Sequence, residues 1–418
     1  MESNPSAGLL ANILLVLVSL AVLFILSRKN GLALAAFTAY SVRAIRGLQV
    51  QIEGDTSDGL WYDRFAVDLV RYWRDQGADP GTWLGKDGFP ALLATIYSTI
   101  GYSPSTGYLI NALAGGLAVL VVGATTAQMG WFDAIKPSAW LVAVWPVGIV
   151  WGGMLLREAI VGLLLAVGVW GSVRLYKLQI ASGAAAILGA GVAMIFMRGG
   201  LSFLILIGMP LTAALVTNLK HKTSPSRWIV ALMASGIAIL ALSWLSDYFA
   251  GGQYFQYRVE VSAEQNAGTS SFAQAGLGAG AVDQSLLGHA LRVPITALGP
   301  FPWQVTNLSL AIAAFDAALW IAVWGLAIYA TRTLRPRAEG LLFMIPAFAL
   351  IVALAANSAN FGLIIRLRGQ GIVLMAPLAA LGFVLWRRQR AANKEVARQE
   401  ILEAASERAL IRARSTRR

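Results

Sequence analysis

The run AGLLANILLVLVSLAVLFILSRKN, Ala7 to Asn30, carries no charged residue before Arg28. An apolar helix of about 20 residues is what the roughly 30 Å hydrocarbon core of a bilayer demands. No small-residue cleavage site precedes Arg28 and Lys29, so the run reads as a retained membrane helix and not as a cleaved signal. Comparable stretches recur along the chain, and they set its class.

Scanning outward from that run gives eleven candidate spans, at about 8–26, 31–50, 107–129, 139–153, 159–174, 181–197, 200–217, 228–246, 308–330, 340–357 and 371–386. Two of them are short enough to be tilted or re-entrant. Across 418 residues, 57% are hydrophobic and 13% charged. That is more apolar surface than a soluble fold of this size can bury, so lipid must cover the excess. The fold expected is an all-α polytopic transmembrane bundle of residues 1–386, followed by a basic cytoplasmic helical tail, 387–418.

The formal charge of +12 would suit nucleic acid if it lay on one exposed face. Instead the basic residues cluster between apolar runs: Arg28 and Lys29, Arg174 and Lys177, Lys220 to Arg227, Arg332 to Arg337, and the tail from Arg387. Counting spans puts all of these on one side, which is the positive-inside pattern of a plasma-membrane protein with an extracytoplasmic amino terminus and a cytoplasmic carboxy terminus. Membrane lipid is therefore the expected partner of the basic charge, and nucleic acid is not. Cysteine is absent, and His221 and His289 are the two histidines, which excludes thiolate chemistry and a histidine metal cluster. Carboxylates, arginines and hydroxyls remain to carry chemistry.

This topology places two polar loops, about 51–106 and 247–307, on the outer face. The first contains EGDTSDGLWYDRFAVDLVRYWRDQGADPGTWLGKD, Glu53 to Asp87, with eight carboxylates against four basic residues. Within it Trp61, Phe65, Leu69, Tyr72 and Trp73 recur at helical spacing, as in an amphipathic helix lying on the membrane with its aromatic side down. Asp55 and Asp58 precede that helix. Either can simply cap its free amides; alternatively one accepts a proton from an incoming hydroxyl or holds a divalent cation against a phosphate leaving group.

Further charges fall on the same face. In MLLREAI, Met154 to Ile160, Arg157 and Glu158 are helix neighbours that point about 100° apart, so each needs its own partner. Arg198 in FMRGG, Arg366 and Arg368 in LIIRLRGQG, and Arg258, next to Tyr257, in the second loop supply more cations. Single arginines at this depth can snorkel to headgroups. As a set they match the oxygens of a lipid-linked diphosphate, because guanidinium and phosphate share a fork geometry.

The order of these motifs resembles the GT-C superfamily of integral membrane glycosyltransferases, in particular the bacterial branch related to protein mannosyltransferases and lipopolysaccharide sugar transferases. Asp58, Tyr62 and Ala66 are similar to the acid–aromatic–Ala motif of that superfamily's first outer loop, where the acid is general base. GKDGFPALLATIYSTIGYSPSTGYLINALAGGL, Gly85 to Leu117, looks like its surface helix followed by a span opening near an Asn, here Asn111. WPVGIVWGGMLLREAIVG resembles its Pro-containing span and charged junction, and IIRLRGQGIVLMAPLAALG the Arg-bearing start of a late span. The sequence differs in having an extra span before the acidic loop and no large soluble carboxy-terminal domain, which leaves acceptor recognition to the outer loops.

The resemblance implies transfer of a hexose or pentose from a polyprenyl-phosphate donor to a glycan or lipid acceptor during envelope or exopolysaccharide assembly, beside other polysaccharide-assembly proteins. Asp58 would be the base and Asp55 its support or, with Asp58, the holder of a divalent cation. Arg198, Arg366 and Arg368 would bind the lipid phosphate, with Tyr62, Arg157, Glu158 and Arg258 completing the substrate-binding set. Two other readings stay open: a polymerase joining lipid-linked repeat units, and a transporter or membrane subunit without catalytic activity.

Overall fold

The computed structural model describes residues 5–28, 30–54, 58–81, 87–221, 293–305, 308–334, 337–357 and 361–415. The expected span at 228–246 and most of the second loop lie outside these residues, as do Asp55 and Arg258. Among the described residues all regular structure is helical. Among these residues seven helical stretches are long and apolar enough to cross a membrane, with 180–219 taken as one, and eight if a bent pair counts as one span.

The chain enters through α1 (Pro5–Ser27) and returns through α2 (Ala33–Glu53). Two helices that lie off the bundle follow, α3 (Asp58–Trp73) and α4 (Gly88–Ile100). The chain then descends in α5 (Pro104–Met129). Gly116 of α5 lies where an added Cβ would come within 3.0 Å of Leu23 and 3.3 Å of the Ala36 carbonyl, so its small size lets α1 and α2 close on α5.

The expected span at 139–153 is a broken one. Helices α6 (Ile135–Ala143) and α7 (Pro146–Gly152) meet at a 50° bend. Pro146 cannot donate to the preceding turn and forces Trp145 into extended backbone (φ −62°, ψ 119°). The carbonyls freed at the break are collected by Arg43 of α2, which is 4% exposed. Its Nε donates to the Gly148 carbonyl at 3.1 Å and its Nη atoms to those of Val142 and Ala143 at 3.3 Å. This explains a charge in the middle of an apolar helix: main-chain dipoles solvate it in place of water.

Helix α8 (Glu158–Tyr176) is followed by α9 (Ile180–Phe203), a π-turn (Leu204–Gly208) and α10 (Met209–His221). These look continuous in sequence, yet the chain reverses at Arg198, whose backbone leaves the helix (φ −159°, ψ 82°). A Cβ on Gly191 would fall 2.2 Å from Leu206, and residues near 170 in α8 touch both Gly183 and Met209. Such contacts require 180–197 and 199–221 to run antiparallel, matching the two spans expected at 181–197 and 200–217.

The bundle closes with α11 (Leu308–Thr333), α12 (Ala338–Asn357), α13 (Phe361–Gln370) and α14 (Ile372–Ser415). Helix α14 runs on through the expected boundary at 386 as one 44-residue helix. At one end of the bundle Tyr176 donates to Glu339 at 2.7 Å, Gln128 to Gln179 at 2.8 Å, and Arg388 pairs with Asp133. Arg174 and Lys177 flank Tyr176, and Arg332 and Arg337 precede Glu339, so basic charge among the described residues gathers at this end. The opposite end carries Asp58, Glu158, Arg198 and Arg366.

Arg368 does not reach that opposite end's surface. It is fully enclosed, donating to Asp316 of α11 at 2.7 Å and to the carbonyls of Thr296 and Gly299 at 3.0 and 2.7 Å. Removing one member of such a pair strands a buried charge, so Arg368→Met is expected to destabilise the protein by about 3–5 kcal/mol. The double variant Arg368→Met/Asp316→Leu should recover most of the loss, measured as the thermal midpoint in detergent.

Candidate functional site

The site grows from the turn between α7 and α8. Asn111 of α5 donates to the carbonyls of Met154 and Leu156 at 2.7 and 2.6 Å, which pins the turn and so places Arg157 and Glu158 at the start of α8. Glu158 is 4% exposed, and a carboxylate so buried needs cationic partners. Arg366 of α13 supplies the first, with Nε 2.6 Å from Glu158 Oε1. Its Nη1 reaches Asp58 Oδ2 at 2.9 Å. One guanidinium therefore bridges two carboxylates, one from α3 and one from α8.

Two further arginines attend this bridge. Arg198, at the tip of the α9–α10 hairpin, lies 4.0 Å from Glu158 Oε1 and donates to Gln370 Oε1 at 3.4 Å. Arg157 turns away from Glu158, as helix geometry requires, donates to the Met197 carbonyl at 2.7 Å and stands 6.0 Å from the centre of the Tyr62 ring. Trp151 of α7 backs Arg366 at 5.7 Å from ring centre to guanidinium carbon, within cation–π range. Burial works against the Arg366 charge, but Glu158 and Asp58 outweigh it and hold its pKa above the ordinary range.

Of the residues singled out in the sequence, Asp58, Tyr62, Arg157, Glu158, Arg198 and Arg366 thus meet at one end of the bundle. Arg368 is the correction: it sits two residues beyond Arg366 on α13, points to another side of the helix and is consumed by Asp316. Asp58 is the first residue of α3 and not, as expected, outside it. Trp151, Gln370 and Arg43 were not foreseen, although a lone Arg amid an apolar run and the Gln of RLRGQG are visible signals.

Helix α3 is fixed to α4 by Asp63. Its two carboxylate oxygens accept from Tyr97 and Tyr102 at 2.7 and 2.8 Å. On its other flank Tyr62 meets Phe89 edge-on with ring centres 5.5 Å apart. Tyr62 and Phe65 are buried, while Trp61, Tyr72 and Trp73 stay exposed. The buried aromatic face thus lies on protein, and the other is left uncovered.

Asp55, named with Asp58 as a holder of a divalent cation, lies outside the described residues. They contain no group of three metal-ligating side chains, and around Asp58 three arginines outnumber two carboxylates. An anion suits that balance.

No family model matches the chain, and no curated protein matches it. Among solved structures it is similar to the archaeal oligosaccharyltransferase AglB from Archaeoglobus fulgidus in complex with an inhibitory peptide and a dolichol-phosphate. The TM-score is 0.47 at 15% identity, covering 87% of this chain and 52% of that one. The Archaeoglobus fulgidus oligosaccharyltransferase tethered with an acceptor peptide containing the NVT sequon gives 0.46 at 15% identity, with 84% and 49% covered. Its apo form gives 0.46 at 14% identity, with 86% and 52% covered. The chain spans about half the length of these oligosaccharyltransferases.

Burial, then the Asp63 carboxylate, raises the pKa of Tyr97 above its ordinary 10. Tyr102 is raised by burial and the same carboxylate. The unfolded chain would release these protons near pH 10 while the folded one keeps them, so the stability they add is intact below about pH 10 and is lost as pH climbs past it. Ultraviolet titration just above about pH 10 should find fewer ionised tyrosines in wild type than in Asp63→Asn.

Proposed function

We propose that this chain is a membrane glycosyltransferase that moves a hexose or pentose from a polyprenyl-phosphate-linked donor to a glycan or lipid acceptor on the extracytoplasmic side, in envelope or exopolysaccharide assembly. The observation that carries the reading is the Arg366 bridge between exposed Asp58 and buried Glu158, with Arg198 and Arg157 beside it. The orientation follows from charge: the basic segments gathered at the opposite end belong in the cytoplasm, which puts the amino terminus and the site outside. The motif resemblance to the GT-C superfamily supports the same assignment.

Exposure separates the roles of the two carboxylates. The Asp58 side chain is 65% exposed and open to an acceptor from water, whereas that of Glu158 is 3% exposed and locked under Arg366. Asp58 takes the proton of the acceptor hydroxyl as its oxygen attacks the anomeric carbon. The bond from that carbon to the phosphate oxygen breaks, and the electron pair leaves with the polyprenyl phosphate. Arg366 and Arg198 face the charge that develops there, where fixed cations lower the barrier most. Glu158 holds Arg366 in place and takes no proton. Asp55 and Arg258 remain proposed as supports of the base and the phosphate.

In cells carrying Asp58→Asn at normal protein level, the glycan product should fall by about 10²-fold or more and lipid-linked sugar should accumulate. Unchanged glycans and unchanged lipid intermediates would remove Asp58 as base. Loss on Arg366→Ala together with full activity of Asp58→Asn would favour the polymerase reading, and altered uptake with intact glycans the transporter.

A further inference from the structure

Two polar atoms beneath the site have no protein partner. Glu158 gives Oε1 to Arg366, and its Oε2 is buried and accepts nothing. Gln370, 7% exposed, turns Oε1 to Arg198, which fixes the amide orientation and leaves Nε2 buried without an acceptor. Both residues line one cavity of about 40 Å³, together with Trp151, Arg366 and Arg43. Glycines keep it open; at Gly162, one turn below Glu158, an added Cβ would meet nothing within 4 Å.

Buried polar atoms are rarely left without partners, so the cavity's chemistry describes what fills it. The occupant must donate to a carboxylate oxygen and accept from an amide. A phosphate or carboxylate only accepts and would be repelled by Glu158. An ammonium only donates and would face Arg43, Arg366 and Gln370. A hydroxyl does both. An acetamido group offers the same pairing with four heavy atoms, and a cavity of about 40 Å³, where one water needs about 10–15 Å³, matches the smaller group better.

We propose that the cavity receives the C2 hydroxyl of the donor sugar, which donates to Glu158 Oε2 and accepts from Gln370 Nε2, so that the protein selects neutral sugars with a free 2-hydroxyl over 2-acetamido sugars. The position follows from placement. Arg366 roofs the cavity and faces the phosphate on the anomeric carbon, and the hydroxyl nearest that carbon is the one on C2. This inference rests on the glycosyltransferase reading, and water occupies the same place when no donor is bound.

The test measures binding of short-chain polyprenyl-phosphate glucose, galactose and mannose, with their 2-deoxy and 2-acetamido forms, to the purified full chain. At least one hexosyl donor should bind about tenfold tighter than its 2-deoxy and 2-acetamido forms. Gln370→Leu should cost that donor about tenfold and its 2-deoxy form nothing, the mark of a direct contact. Gly162→Val, which fills the cavity and leaves both polar side chains in place, should weaken the hexosyl donor at unchanged thermal midpoint. Equal binding of hexosyl and 2-acetamido donors, or no effect of Gly162→Val, overturns the hydroxyl pocket and leaves a water site. Failure of wild type to bind any lipid-linked sugar overturns the glycosyltransferase reading with it.

Discussion

The ion pair between Glu158 and Arg366 joins positions 208 residues apart, and the arrangement of the site follows from it. Glu158 opens α8 at the rim of an apolar bundle, where an uncompensated carboxylate would cost several kcal/mol. Arg366 removes that cost only if α13 lies across the mouth of α8. Once it does, the same guanidinium is within reach of Asp58, and the start of α3 is drawn to the bundle. Arg198 completes the arrangement because the chain reverses at that residue. Helix packing and site assembly thus share one electrostatic constraint.

The spans were the most legible part of the chain, since helices such as α1, α5, α8 and α12 announce themselves by apolar length. The α9–α10 hairpin was legible too, as two apolar runs flanking the Met197–Leu201 stretch MRGGL. Partners of charges were not. Arg366 and Arg368 look equivalent in sequence, but two residues along a helix turn them to different sides. Asp316 was the overlooked signal: a lone carboxylate inside an apolar span calls for a cation. The partners of Arg43 were illegible for another reason, because they are backbone carbonyls that no side chain advertises.

The site shows one residue type doing two jobs by virtue of surroundings alone. Asp58 and Glu158 contact the same arginine, yet one looks into water and the other into the bundle. In the proposed reaction, proton exchange belongs to the first and alignment to the second. The aromatic residues follow a similar division, with Tyr62 and Phe65 fastening α3 to protein and Trp61 and Trp73 left outside. Helix α3 is therefore a docked platform whose acidic end, Asp58, is held against the bundle by Arg366.

Helix α14 begins directly after Gly371, beside Gln370, and continues unbroken for 44 residues. At about 1.5 Å per residue it is roughly twice as long as the hydrocarbon core is thick. Its first half is clasped by α11 and α12; the remainder stands clear of the bundle as a stiff rod. Mechanically this is a lever with its fulcrum in the membrane. A slight rocking of the clasped half would sweep the far tip through a much wider arc, and a load bearing on that tip would reach Ile372 and Val373, which line the cavity beside Gln370.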